Sequence, residues 1–262
     1  GLFAEYAKGY AAQYGFSRSQ LARMFAAVSA LNYRNGIDNP LAHFGKGGPA
    51  DRLGLIDADA ILALPDEKNP IIAEPLRLHD CSLVSDGAAA VLLACDTISI
   101  AKSEKAVKVA GIGHANERFA LSTRQNMHEL IAGKKAVQQA FAEAGIIFSD
   151  VDIAEVHDCF TINQLLCTEA LGLSAEGRSG FDYMEGRFTR DDSRCAINLS
   201  GGLKAKGHPV GATGVSMHAL IYKQLIGRPI GATLAKKTPS IGVTFNVGGS
   251  SVTNCVTVLR RE

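Results

Sequence analysis

Strands alternating with helices along the last two thirds of the chain predict an α/β protein, a layered sandwich with helices on both faces of a mixed sheet. Three observations carry this. Apolar runs of strand length at 106–115 and 240–247 are set apart from segments of helical spacing at 128–145 and 211–227. A glycine pair and two serines at 248–251 join the run 240–247 to a second one at 252–259, which marks a hairpin. The composition is that of a globular protein, with 47% hydrophobic and 20% charged residues among 262.

Taken in order, the first 65 or so residues read as helical and loop-rich. The opening GLFAEYAKGYAAQYG has the look of a helix already under way, an expectation that the chain is part of something larger. In SRSQLARMFAAVSALNYRNG a serine stands at an N-cap, apolar residues follow at helical spacing, and Asn35-Gly36 is the stop signal. DNPLAHFGKGGPADRLG is turn-rich, and DADAILALPDE gives one more short helix ended by Pro65. GAAAVLLAC (87–95) is a fully apolar run that predicts a buried strand, and AVKVAGIGHA a second. A helix over 128–145, a short strand over 151–156 and a helix from Thr161 to about Leu171 follow. After an irregular stretch come the helix at 211–227 and the closing hairpin. No internal repeat stands out.

Lysine plus arginine number 27 against 26 acidic residues, a formal net charge of +1, so nothing in the balance asks for nucleic acid or a membrane surface as partner. The six cysteines are scattered, with no CxxC pair; this suits a reducing, cytoplasmic setting and gives little support to zinc. No basic-then-apolar leader and no apolar run of about 18 residues is seen, so neither export nor a membrane span is expected.

Chemistry collects in three places. VHDCF places His157 and Cys159 on a turn from a predicted strand into a helix, the edge of an α/β sheet where ligands bind. Free N–H groups and the positive end of the helix dipole there are expected to favour a thiolate at Cys159. Read blandly, Cys159 is a buried thiol and His157 a satisfied core histidine. NLSGGLKAKGHPVGATG (198–214) holds His208 rigidly before Pro209, among Gly207 and Gly211, just ahead of a helix beginning near Ala212. That setting suits a base or a donor to an oxyanion; it meets neither nucleotide-loop pattern. FNVGGSS is a plain hairpin or, functionally, a backbone N–H at Gly248 aimed at a carbonyl oxygen. The tripeptide HDC also occurs at 79–81, where no such loop adjoins it in sequence; it reads as incidental, and a metal held by both tripeptides is the alternative.

In this order and at these separations the three stretches resemble the thiolase superfamily, and within it the sterol-carrier-protein type, a branch with lipid-transfer-protein-like members. SDGAAAVLLA resembles the strand closing the N-terminal half of a thiolase. The resemblance covers essentially the whole chain but only about two thirds of a complete thiolase. It implies a mixed five-stranded sheet with helices on both faces, and three parts: 1–80 a helical loop domain covering coenzyme A, 81–105 the last strand and helix of the N-terminal half, 106–262 the C-terminal domain.

The family's activity implies an acyltransferase acting on coenzyme A thioesters, by thiolysis of 3-ketoacyl-CoA or by condensation. Coenzyme A is then a substrate, with no tightly bound cofactor and no metal. The alternatives are a retro-aldol lyase of 3-hydroxyacyl-CoA and a non-catalytic coenzyme A-binding subunit. The resemblance makes Cys159 the acid/base, since Asn246-Val247-Gly248 lacks the cysteine that other thiolases carry there. His208 would activate the nucleophile and donate to the thioester oxyanion. His157 would shape that oxyanion hole, and Gly248, in the stretch with Asn246, the other. The nucleophilic cysteine itself is expected outside this chain, the other five cysteines being core or surface thiols. The chain is then expected not to be a stable solitary monomer, and to form a homo-oligomer or take a partner chain supplying the N-terminal half.

Overall fold

In the first 80 residues helices come where the capping chemistry puts them. The computed structural model describes residues 1–95, 97, 106–192, 194–235 and 237–262. Helix α1 (Leu2–Tyr14) ends at Gly15 in the left-handed conformation, and α2 (Arg18–Ile37) starts at a capping box in which Ser17 and Gln20 bond each other's backbone. Short helices α3 (Pro49–Arg52) and α4 (Ala58–Leu62) follow, the latter capped by Asp57. A small hairpin of β1 (Ile71–Ala73) and β2 (Leu76–Arg77), which no sequence signal announced, closes this part.

The predicted strand 87–95 does not form. Residues 85–95 have no regular structure, and Leu92 and Leu93 are 82% and 78% exposed. A strand exists only through hydrogen bonds to a neighbour, and among the described residues no strand pairs with these. The helix expected after it falls outside the described residues.

From 106 onward the expectations hold closely. The remaining strands are β3 (Val107–Asn116), β4 (Ile153–Val156), β5 (Ala196–Ile197), β6 (Ile241–Gly248) and β7 (Thr253–Arg261). They form one mixed sheet in the order β3-β7-β6-β4-β5, antiparallel from β3 to β6 and parallel across β6, β4 and β5. The helices are α5 (Ile131–Ala144), α6 (Thr161–Ala170), α7 (Ser179–Met184), α8 (Gly202–Lys206) and α9 (Thr213–Leu225).

Alternation along the strands builds two cores. Ala154, Val156, Ile197, Val243, Phe245, Val256 and Val258 pack with the apolar sides of α5 and α6. Their strand neighbours Ile153, Ala196 and Leu259 face the other way, onto Ile221 and Leu225 of α9. Helices therefore cover both sheet faces. The first helices lie over the α6 side: Phe3 stacks on Phe160 at 4.9 Å, and the Tyr10 hydroxyl donates to Glu169 Oε1 at 2.6 Å. A third, smaller core joins Ala30 and Tyr33 of α2 to Leu55, Ile61 and Ala205.

At its outer margin β3 is capped at two of its amides. The Ile112 and His114 N–H groups donate to Glu143 Oε2 and Gln139 Oε1 of α5, at 2.7 and 2.9 Å.

Candidate active site

The parallel strands β4 and β6 end side by side, and His157 continues their ladder by donating its N–H to Phe245 O at 2.9 Å. The turn 157–160 then opens α6, with Asn163 Nδ2 donating back to His157 O. On the neighbouring side α8 leads through Gly207 and His208 into α9. The histidine rings meet there, edge to face, with centroids 5.0 Å apart. Asn246 of β6 joins them, its Oδ1 2.9 Å from His157 Nδ1. Gly248 lies two residues on, on the same face of that strand.

The turn and the loop are held together by two carboxylates three residues apart. Asp158 accepts the N–H groups of Leu203 and Lys204, at 2.7 and 2.9 Å, and Asn32 Nδ2 at 2.9 Å. Glu155 accepts Ser200 N and Ser200 Oγ at 3.0 and 2.6 Å. Asp158 thereby caps α8 from a different segment, and only glycine fits between them. A Cβ on Gly202 would lie 2.3 Å from Asp158 Oδ2, at a backbone φ of +61°. Gly207, at φ +116° against the His43 ring, also needs its missing side chain, whereas Gly211 has open space around it and no such conformation.

Burial sets the electrostatics. His157 is pushed down to about 3 by burial, then by His208 and Lys206, against the pull of Asn246. His208, half-buried, is pushed down to about 4 by burial and by Lys206. Both rings are thus neutral at pH 7. The Cys159 thiol moves opposite to the expected direction: burial first, then Asp158 and Cys167, raise it well above the ordinary range. The first helical residue is Thr161, two positions on, and the dipole it starts does not outweigh removal of the thiol from water. Cys159 carries its proton here, and an acid rather than a thiolate is what the site holds.

The structure thus brings together His157, His208 and Asn246, with Gly248 on the same strand face. Cys159 is adjacent in the turn and 7% exposed, and no cysteine sulfur among the described residues hydrogen-bonds either imidazole. The described residues contain no cluster of three or more His, Cys, Asp or Glu suited to a metal, and no helix long and apolar enough to cross a membrane.

The tripeptide at 79–81 lies against the site. Cys81 bridges Phe160, Ser82 N donates to Cys159 O at 2.8 Å, Val84 bridges His208, and His208 N donates to Ser85 Oγ at 3.2 Å. Lys204, fully buried and lowered to about 8 by that burial, donates its ammonium to Cys81 O at 2.6 Å and lies 5.0 Å over the Tyr33 ring. Asp158, Glu155, Lys204 and Ser85 are the residues sequence reasoning missed. Their spacing to the motif was visible, but these partners lie 45 or more positions away along the chain.

With this geometry in hand, the comparisons decide the family. A family profile described as Thiolase C-terminal domain-like matches residues 113–261. The chain belongs to the thiolase family. An acetyl-CoA acetyltransferase of Methanothermobacter thermautotrophicus is 35% identical over 99% of this chain and 63% of its own length. Sterol carrier protein 2 of Oryctolagus cuniculus is 29% identical over 87% of this chain and 40% of its own. Among solved structures, an Ltp2-ChsH2(DUF35) aldolase superposes with a TM-score of 0.77 at 18% identity, covering 99% of this chain and 63% of that one. The thiolase chain described here therefore spans less than two thirds of the length of these relatives, and the last likeness is one of fold.

Proposed function

We propose that this chain contributes the acid–base half of a thiolase site that transfers acyl groups of coenzyme A thioesters, by thiolysis of a 3-ketoacyl-CoA or the reverse condensation. The observation that carries the reading is the pair of neutral imidazoles, His157 and His208, meeting at the ends of β4 and β6. A neutral buried imidazole can take a proton from a thiol and, once charged, donate to the oxygen of a thioester. His208 fills that role, His157 flanks the oxygen, and the Gly248 N–H serves the second oxygen. In the thiolysis direction Cys159, holding its proton, delivers it to the carbon alpha to the carbonyl and is left as a thiolate; in the condensation direction that thiolate takes the proton back from the same carbon.

The acyl-accepting thiol comes from the N-terminal thiolase half, in the same polypeptide or a partner subunit, and the helices of residues 1–80 form the cover under which coenzyme A lies. The assembly is a homo-oligomer or a complex with that partner, in the cytoplasm. Coenzyme A is a substrate and no tightly bound cofactor is involved.

A second reading fits the same pair of imidazoles: among the described residues no cysteine sulfur hydrogen-bonds either ring, and retro-aldol cleavage of a 3-hydroxyacyl-CoA needs a base but no acyl-cysteine. The aldolase whose fold this chain shares makes that chemistry worth testing. Full-length protein given acetoacetyl-CoA and free CoA should form acetyl-CoA. Inertness in that assay, together with cleavage of a 3-hydroxyacyl-CoA, overturns the first reading in favour of the second. Inertness toward both makes the chain a coenzyme A-binding subunit.

A further inference from the structure

His208 has one ring proton when neutral, and which nitrogen carries it decides whether the ring can act as a base toward its surroundings. The ring's Nδ1 lies 2.7 Å from Thr213 Oγ1, and that hydroxyl lies 2.9 Å from Pro209 O. Thr213 is 1% exposed and is the first residue of α9, so no water competes for its hydroxyl. The hydroxyl has a single hydrogen, and a carbonyl oxygen has none to give. If that hydrogen went to Nδ1, two oxygens would stand 2.9 Å apart with nothing between them. If it goes to Pro209 O, both contacts are hydrogen bonds, provided Nδ1 donates to Oγ1.

We propose that Thr213 is a positioning residue that fixes His208 as the Nδ1–H tautomer and so leaves the lone pair on Nε2, the nitrogen turned away from the helix start. The chain of donors runs His208 Nδ1–H to Thr213 Oγ1 and Thr213 Oγ–H to Pro209 O. Pro209 also accepts the N–H groups of Ala212 and Thr213, both at 2.9 Å, so the carbonyl that orients the hydroxyl is itself fixed by the helix it precedes. The ring stays neutral because burial and Lys206 hold it down to about 4, which leaves the tautomer as the one open variable. This inference rests on the reading of His208 as the base, but its primary readout does not.

The test uses full-length protein with 15N-labelled histidine, and compares wild type with Thr213→Val and Thr213→Ser. In wild type, the His208 resonances should show a protonated Nδ1 and an unprotonated Nε2. Thr213→Val, which keeps the shape but removes the acceptor, should shift both nitrogens toward a mixture and lower kcat roughly tenfold or more with KM little changed, since a wrong tautomer alone can cost a triad enzyme up to about 10⁴. Thr213→Ser should restore both. A proton on Nε2 in wild type, or a Thr213→Val spectrum identical to wild type, overturns the proposal. If Thr213→Val fails to fold, the wild-type spectrum decides alone. Protein inert toward coenzyme A thioesters would sink the functional reading while the spectra still settle Thr213.

Discussion

The tripeptide His-Asp-Cys occurs twice, and its two copies lie against one another with opposite tasks. At 157–159 the histidine meets a second imidazole and an asparagine. At 79–81 the histidine bonds the Tyr33 hydroxyl at 2.7 Å, and the Cys81 thiol donates to Arg77 O, at 3.3 Å. Asp158 receives three donors from α2 and α8, whereas Asp80 receives the Arg77 N–H within its own turn, at 2.8 Å. One copy closes a local turn; the other fastens two distant segments. A motif's chemistry is conferred by what packs around it, and identical side chains in sequence carry no role by themselves.

The sharpest way to break this contrast is to remove the thiols. Cys159→Ala should lower turnover of acetoacetyl-CoA by about 10²–10⁴-fold, the range for a positioned acid–base group, while Cys81→Ala should stay within about threefold of wild type. Equal losses in steady-state assays would make the two copies equivalent. The aspartates come next. Asp158→Ala strands three buried donors and should cost roughly 2–4 kcal/mol in urea unfolding, since each unsatisfied buried group costs about 1–3 kcal/mol less whatever relaxation recovers. Asp80→Ala should cost about 1 kcal/mol on the same basis.

Smaller again is the coupling through Lys204, whose N–H serves Asp158 and whose ammonium serves Cys81 O. Asp80→Asn and Lys204→Met combined should deviate from additivity by about 0.5–1 kcal/mol, as for residues sharing one charged network. Strict additivity would show that the ammonium does not feel the first tripeptide.

The subtlest effect appears only in acid. His208 is lowered to about 4 from an ordinary value near 6.5, so its contribution to stability is complete above about 6.5 and is lost as pH falls toward 4. Asp158, raised by burial to about 6, has the opposite sign: its contribution is complete below about 4 and is lost as pH rises through 6. His208→Asn should flatten the loss of stability between pH 6.5 and 4 measured by thermal melts, and His79→Asn should flatten it as well, since His79 is also held down to about 4 by burial and then by Lys204. Only the first should move the acid limb of the activity profile, which in wild type should lie near pH 4.

What the sequence disclosed divides along the same line as the two tripeptides. Helices α2, α5 and α9 and the hairpin of β6 and β7 were legible because caps, spacing and turn residues lie within a few positions of what they specify. The run 87–95 was misread for the reason given by Leu92 and Leu93: an apolar stretch satisfies the strand pattern, but the pairing strand is not encoded locally. His157 and His208 could be singled out from their turns, and Asp158 could not, because its capping of Leu203 and Lys204 depends on how the chain returns. The Cys159 direction failed because a helix start is local and burial is not.

The outer margin of β3 has a consequence for how such chains assemble. With the Ile112 and His114 amides already spoken for by Glu143 and Gln139, a newcomer's backbone finds two rungs of that edge occupied. Lengthening the sheet through those two positions would first have to displace both side chains.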